Sequence, residues 1–293
     1  MSRKHYDLVA CRYIGEAVQC GLERYKDRLV VDVDDNLTSA LLRDLATAPP
    51  KKCAVKRWLY NWRAYAIGFM AQRYLRGVRV SFHSNIAEPM TRKSVYLHNT
   101  TMLRKQVPDV NVNTPLRLLI VGWLNFAPNI LGTLHFAEQV FPKIKQAVPG
   151  ATLHIAGRGD QWVIERLNAI DGVQALGYVD DIVEEYHQCR IIIVPIYQGS
   201  GTSVKFTEGL MMNRPTVATP LGVRGFESFC KPDSEYLLAE SDEEFATKVV
   251  YLLQHSNEAQ LIARRANAVA QRHISPERFV EIVAQSIRKA CKP

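Results

Sequence analysis

The hydrophobic pattern divides this chain into two stretches of different clarity. From residue 115 onward, short apolar runs alternate with segments of helical period. Arg117-Leu118-Leu119-Ile120-Val121-Gly122 reads as a buried strand, and residues 151–156, 173–176, 190–195 and 215–219 read as four more. Helices are predicted over 129–147, 161–170, 182–188, 203–212, 243–254, 258–271 and 276–290. Apolar strands separated by helices mean βαβ units and a parallel sheet covered on both faces. Before residue 110 the signal is thinner: strands at 6–12, 28–33, 78–83 and 94–98, helices at 15–26 and from 51 to about 76. A polar, turn-rich stretch at 107–115 separates the two parts. The expected organisation is therefore a first domain at 1–110, a doubly wound domain at 115–272 and a helix at 275–290, with Ser275 as its N-cap and Pro276 at its first position.

One junction carries chemistry. The strand at 190–195 runs into Gln198-Gly199-Ser200-Gly201-Thr202-Ser203, which opens the helix bearing Lys205 and Glu208. Free backbone N–H groups at a helix N-terminus, backed by the helix dipole, attract an anion. Lys205 adds a point charge to a phosphate, and Glu208, three residues on, offers a carboxylate to paired sugar hydroxyls. The set suits a nucleoside diphosphate. Small polar residues also open many helices merely because they cap well, so the loop alone leaves both readings open.

Composition narrows the class. The chain has 293 residues, 47% of them hydrophobic and 23% charged, which describes an ordinary globular protein with core enough for two domains. Its six cysteines are scattered without a C-x-x-C pair, which speaks against a zinc site and for reduced thiols in a cytoplasmic setting. No apolar run is long enough to span a bilayer. The net charge of +8 is concentrated before residue 110 and points to an anionic surface or substrate there. No nucleic-acid-binding module is recognisable.

Several pieces in order make the chain similar to a known family. They are Val121-Gly122 with Ala127-Pro128-Asn129, Leu153-His154-Ile155-Ala156-Gly157-Arg158-Gly159, Gly177-Tyr178-Val179, Ser200 to Glu208, Pro215-Thr216-Val217-Ala218-Thr219 and Gly222-Val223-Arg224-Gly225. Together they resemble the nucleotide-sugar glycosyltransferases of GT-B architecture, family 4 (group 1) type. The resemblance implies an α/β fold of two Rossmann-like domains, with the last helix crossing back to the first domain. It begins at what corresponds to the fourth strand of the family's first domain, so that domain is expected to be incomplete. It also implies that Gly177, Tyr178 and Val179 lie beside the base, Ser200, Gly201, Thr202 and Ser203 at the diphosphate, Glu208 on the ribose, and Gly157 and Gly159 at the floor of the donor site. Lys205 stands where the family often places a cation. Two departures stand out: the first glutamate of the family's usual pair is Ser200 here, and Trp123, Leu124 and Asn125 replace the usual phosphate-binding cations.

Other candidates have competing readings. Asp32-Val33-Asp34-Asp35 is a metal-binding pair, a helix cap, or, as the resemblance implies for Asp34, an acceptor-facing catalytic position. The segment from Lys51 to Arg79 has eight basic residues and no acidic one, with apolar positions 55, 59, 62, 66 and 69–70 on one face. That face either packs on the core or lies on a membrane surface. The histidines show no paired acid at catalytic spacing. The resulting expectation is a hexosyl-type glycosyltransferase working on surface polysaccharide or glycolipid. It would use a nucleoside diphosphate sugar and a sugar or lipid-linked acceptor, with retention, no metal and no tightly bound cofactor. Its expected place is the cytoplasm, at the inner face of the membrane, without nucleic acid. The alternatives are a catalytically inactive donor-binding partner protein and a nucleotide-sugar epimerase.

Overall fold

Side chains alternate across a strand, so a sheet with apolar residues at successive positions needs cover on both faces. The computed structural model describes residues 6–33, 54–84, 91–103, 107–199 and 201–291, and its chain divides into two units. The first comprises Met1–Asn99, Gly199–Thr202 and Glu277–Pro293. Its strands β1 (Val9–Arg12), β2 (Leu29–Asp32), β3 (Val80–His83) and β4 (Ser94–Tyr96) pair in parallel in that order. Leu29, Val31 and Val33 lie with Ile14 and Ala17 of α1 (Ile14–Gln19), with Tyr74 and Leu75 of α2 (Ala54–Gly77), and with Val78. Val30, Val80 and Phe82 form a separate cluster with Leu97 and with Phe279, Ile282, Val283 and Ala290 of the last helix, Pro276–Cys291. The Arg79 guanidinium donates to the Ala290 carbonyl at 2.7 Å.

The second unit, Thr100–Gln198 and Ser203–Pro276, holds a six-stranded parallel sheet. Its strands are β5 (Arg117–Val121), β6 (Thr152–Ala156), β7 (Val173–Gly177), β8 (Ile191–Val194), β9 (Thr216–Ala218) and β10 (Leu237–Leu238), in the spatial order β10-β9-β8-β5-β6-β7. The short β10 carries too little pattern to stand out in the sequence. The expected helix at 129–147 is three pieces: α3 (Ala127–His135), a π turn over Phe136–Val140, and α4 (Phe141–Ala147); α5 (Gln161–Asn168) and α6 (Ile182–Gln188) follow. Pro142 explains the turn, because it has no N–H to donate and its ring crowds the carbonyl four residues back.

Period-two burial again sorts the faces. Leu118, Ile120, Leu153, Ile155, Ile191 and Ile193 pack with Phe136, Phe141 and Phe245, while Leu119, Ile192 and Val194 pack with Tyr186, Phe206, Leu210 and Ala266. The strand order reverses between β5 and β8, and in an open α/β sheet the loops leaving the carboxyl ends of two such strands diverge into a ligand crevice. α3 closes tightly against this point: a Cβ on Gly132 would lie 1.9 Å from the Pro195 carbonyl oxygen.

Residues 107–114 lie along this second unit, held by two buried arginines. Arg190 donates to the carbonyls of Asn111, Val112 and Thr114, and Arg214 to those of Pro108, Tyr186 and His187. A buried guanidinium is stabilised when carbonyl dipoles satisfy its fork of donors. Asp109 adds an ion pair to Arg264 at 2.5 Å and a bond from Asn213, which together hold its carboxyl down at about 2.

Gly132→Ala tests the close approach of α3 to β8. In an open helix the change gains up to about 1 kcal/mol, but here overpacking should destabilise the protein by roughly 1–3 kcal/mol. Thermal unfolding should show a Tm lower by about 2–4 °C per kcal/mol. Gly150→Ala, whose Cβ would meet only Leu116 Cδ1 at 3.4 Å, should leave Tm unchanged.

Candidate functional site

The site is built at the β5–β8 reversal. α7 (Val204–Met211) starts just beyond β8, and Ser203 is its N-cap residue. The Ser203 carbonyl accepts from Phe206 and Thr207, and no side chain caps the turn. Lys205 is buried in that first turn, and its Nζ donates to Asn129 Oδ1 of α3 at 2.7 Å. Asn129 in turn donates from Nδ2 to the Trp123 carbonyl at 2.9 Å. A Cβ on Gly122, just past β5, would lie 3.2 Å from the Lys205 ammonium. One amide thus ties the lysine of one strand-end loop to the loop of the neighbouring strand.

Electrostatics give the arrangement its purpose. Burial pulls the Lys205 pKa down to about 8, with the Glu208 carboxylate acting in the opposite direction. An ammonium taken out of water with a neutral amide as its hydrogen-bond partner is under-compensated. A dianion at the mouth of the helix would restore the balance, aided by the helix dipole. Nearly one turn along, Glu208 accepts a hydrogen bond from the Tyr186 hydroxyl on Oε2 at 2.7 Å, and a second from the Thr101 side chain. Burial raises its pKa, while Tyr186, Lys205 and Thr101 favour the ionised form. A carboxylate has about four lone-pair positions, so two protein donors leave room for two more hydroxyls.

The loops after β5, β6 and β7 are joined through backbone. Gly157 has φ +155°, its N–H donates to the Gly177 carbonyl at 2.8 Å, and a Cβ there would fall 1.8 Å from the Gly122 carbonyl oxygen. Leu124 bridges Gly159, and its N–H donates to the Arg158 carbonyl at 2.6 Å. Tyr178 follows β7 and is exposed, with the Arg158 guanidinium 4.4 Å above its ring centroid. Val179 is partly buried against the core beneath.

The second unit therefore brings together Lys205, Glu208 and Ser203 on α7, and separately links Gly157 with Gly177 and the adjoining Gly159, Tyr178 and Val179. The other loop residues are placed differently. Gly201 and Thr202 group with the first unit, where Thr202 Oγ1 accepts from Asn99 Nδ2 at 2.8 Å. Ser200 and Asp34 lie outside the described residues. Of the aspartate cluster, Asp32 is seen beside Arg12, 3.6 Å away. Among the described residues no three His, Cys, Asp or Glu side chains gather as metal ligands would.

Four residues went unassigned in the sequence: Asn129, Tyr186, Thr101 and Arg158. Asn129 sits inside a quoted motif, yet nothing in the spacing links it to Lys205, which is 76 residues away. Tyr186 reads as an ordinary apolar-face residue of its helix, and only its hydroxyl contact to Glu208 sets it apart. No histidine has a paired acid at catalytic spacing in the sequence, but the fold supplies one from afar: His135 Nε2 lies 2.9 Å from Asp242 Oδ1. Those two residues are 107 positions apart, so local spacing had no access to the pair.

Comparisons with known proteins fit this geometry. A search of curated protein sequences returned no match. Among solved structures, the chain is similar to Alr3699/HepE of Anabaena, in complex with UDP, at 14% identity and a TM-score of 0.67, covering 97% of this chain and 79% of the other. It is similar to sucrose-phosphate synthase of Thermosynechococcus elongatus at 12% identity and a TM-score of 0.70, covering 97% and 73%. A TarM G117R mutant of S. aureus is matched at 13% identity and a TM-score of 0.65, over 88% of this chain but only 50% of TarM, so this chain spans about half of that relative. At these identities the likeness shows the fold, which is that of the GT-B glycosyltransferases. The family model described as Glycosyl transferases group 1 matches residues 115–255, the span that holds β5 to α7 and the site built on them. Over residues 115–255 the chain is thus similar to the group 1 glycosyltransferases, and its fold is of the GT-B type.

Proposed function

We propose that this protein transfers a sugar from a UDP-sugar to an acceptor hydroxyl, and that the site at the β5–β8 reversal holds the donor. The observation that carries the reading is the buried Lys205 ammonium, fixed by Asn129 over the end of β5 at the mouth of an uncapped helix. Such a cation awaits a dianion, and a nucleoside diphosphate is the dianion whose ribose would meet Glu208. Uridine as the base is supported by relatives: HepE is seen with UDP-glucose and the pneumococcal O-GlcNAc transferase GtfA with UDP and GlcNAc. Gly177, Tyr178 and Val179 would flank the base, with the Arg158–Tyr178 pair as a stacking platform.

The chemical difficulty is the departure of the diphosphate from the anomeric carbon. Negative charge grows on the leaving oxygen in the transition state. Preorganised donors aimed at it lower the barrier without reorganising. Lys205 and the first-turn N–H groups of α7, with Ser200 to Ser203, have that role in this reading. Retention at the anomeric carbon, independence from metal, and a polysaccharide or glycolipid acceptor belong to the same proposal and rest on the family resemblance.

Calorimetric titration with UDP, GDP and ADP tests the donor site first. UDP should bind. Glu208→Ala should weaken binding about 10- to 100-fold, the range for losing hydrogen bonds to a charged group. Binding unchanged in that variant would sink the assignment of Glu208, and indifference to all three nucleotides would sink the donor reading. UDP binding without turnover would favour the inactive-partner reading, and isomerised donor in the absence of acceptor would favour an epimerase.

Lys205 makes affinity depend on pH in a fixed direction. Its free-state pKa is about 8, and a bound diphosphate raises it. Affinity should therefore be full below pH 8 and weaken as pH climbs through 8, by at most about tenfold per pH unit. A flat profile between pH 7 and about 9.5 would show that the lysine does not meet the diphosphate.

Asn129→Ala should release the lysine from its tether without removing its charge. We expect kcat to fall about tenfold or more while UDP affinity changes less, because positioning counts most in the transition state. Equal losses in kcat and in UDP affinity would mean that Asn129 acts only by supporting the fold.

A further inference from the structure

The helix α2 is apolar on two opposite faces, and among the described residues only one of them packs into a core cluster. Ala64, Tyr74 and Leu75 are buried, with Tyr74 and Leu75 in the cluster that covers β2. On the far side Trp58, Trp62, Tyr65 and Phe69 are 63%, 62%, 63% and 70% exposed. Steps of four, three and four residues place these four rings in one stripe along the helix, about 16 Å long at 1.5 Å per residue. Leu59 and Met70 flank the stripe and are also exposed. Of the face read from the sequence, positions 59, 62, 69 and 70 are exposed, so the core-packing reading fails for them; Ala66 is half-buried, and the side chain at 55 lies outside those described.

The same stripe runs on into charge. Arg73 and Arg76 follow Phe69 at four and seven residues, so they continue the line of the rings, and both are exposed, as is Arg63. The whole helix contains no aspartate or glutamate. The occupant must therefore accept aromatic rings and supply negative charge. A second copy docking helix to helix would set arginines against arginines with no carboxylate from either α2. Nucleic acid would not reward a line of four large rings and a methionine on one helix face. No helix among the described residues is long and apolar enough to cross a membrane.

We propose that this face lies flat on a bilayer carrying anionic phospholipid, with the rings at the level of the headgroups and Arg73 and Arg76 on lipid phosphates. Tryptophan and tyrosine suit that depth because each has an apolar body and a polar tip. Arginine adds bidentate contact to phosphate. Binding that combines apolar burial with electrostatic attraction is characteristic of helices lying in the interface plane. The inference stands on α2 alone and is independent of the donor-site reading.

Flotation of the full chain with vesicles tests it, using phosphatidylcholine alone and phosphatidylcholine mixed with phosphatidylglycerol. The protein should float with the mixed vesicles, float poorly with the neutral ones, and be released by salt. The double variant Trp62→Ser/Phe69→Ser should lower the partition coefficient roughly tenfold or more, since each ring loses apolar burial. Arg73→Glu/Arg76→Glu should abolish the preference for the anionic vesicles. Both pairs change exposed positions, and retained circular dichroism and melting confirm that the variants fold. The proposal is overturned if the unaltered chain stays unbound with both vesicle types, or if neither double variant changes its flotation. It is also overturned if light scattering shows a dimer that Trp62→Ser/Phe69→Ser makes monomeric, which would assign the face to a second copy.

Discussion

The second unit is organised around the placing of one ammonium in a site from which water is largely excluded. A lysine at the start of a helix would ordinarily extend into solvent, where its charge is fully hydrated. Lys205 instead lies buried with Asn129 as its hydrogen-bond partner and Glu208 one turn on, and its pKa of about 8 records the cost of that position. That under-compensated cation at a strand-end loop is the feature on which the proposed anion site rests. In the proposed reading, the cost in the free protein becomes affinity and transition-state stabilisation once the anion is present, because the donors are already in place.

Such a site needs rigid surroundings, and backbone contacts provide them. Gly157 against the Gly122 carbonyl and Gly132 against the Pro195 carbonyl bring chains together at distances that no side chain would allow. Tyr186 and Thr101 fix the Glu208 carboxylate from two further segments. Arg190 and Arg214 satisfy carbonyls along 107–114, so the chain entering β5 is tied to the strand and helix ends beside it. Each of these contacts joins parts far apart in sequence. Together they fix the strand-end loops on the sheet beneath them.

The first unit solves a different problem. Its four-stranded sheet is covered by α1 and α2 among the partners of Leu29, Val31 and Val33, and by the last helix beside Val30, Val80 and Phe82. With the core supplied by Ala64, Tyr74 and Leu75, the rings at 58, 62, 65 and 69 are in excess of what packing requires. Exposed aromatics in a line cost solubility and contribute nothing to the folded core, and the proposed bilayer contact rests on them.

The sequence by itself determined the parallel α/β class, since apolar strands alternating with helices admit few other solutions, and it located the Ser203–Glu208 junction, where strand, small-residue loop and helix are contiguous. Local pattern also foretold the basic helix with an apolar face that is seen over Ala54–Gly77. It could not say which way that face points, because a helix that is apolar on both sides has no unique inside until its neighbours are present. The partners of Lys205 and Glu208, the His135–Asp242 pair and the arginine clamps were beyond its reach for a single reason. They join residues from about 20 to more than 100 positions apart, and only the closing of the sheet brings such residues within hydrogen-bond distance.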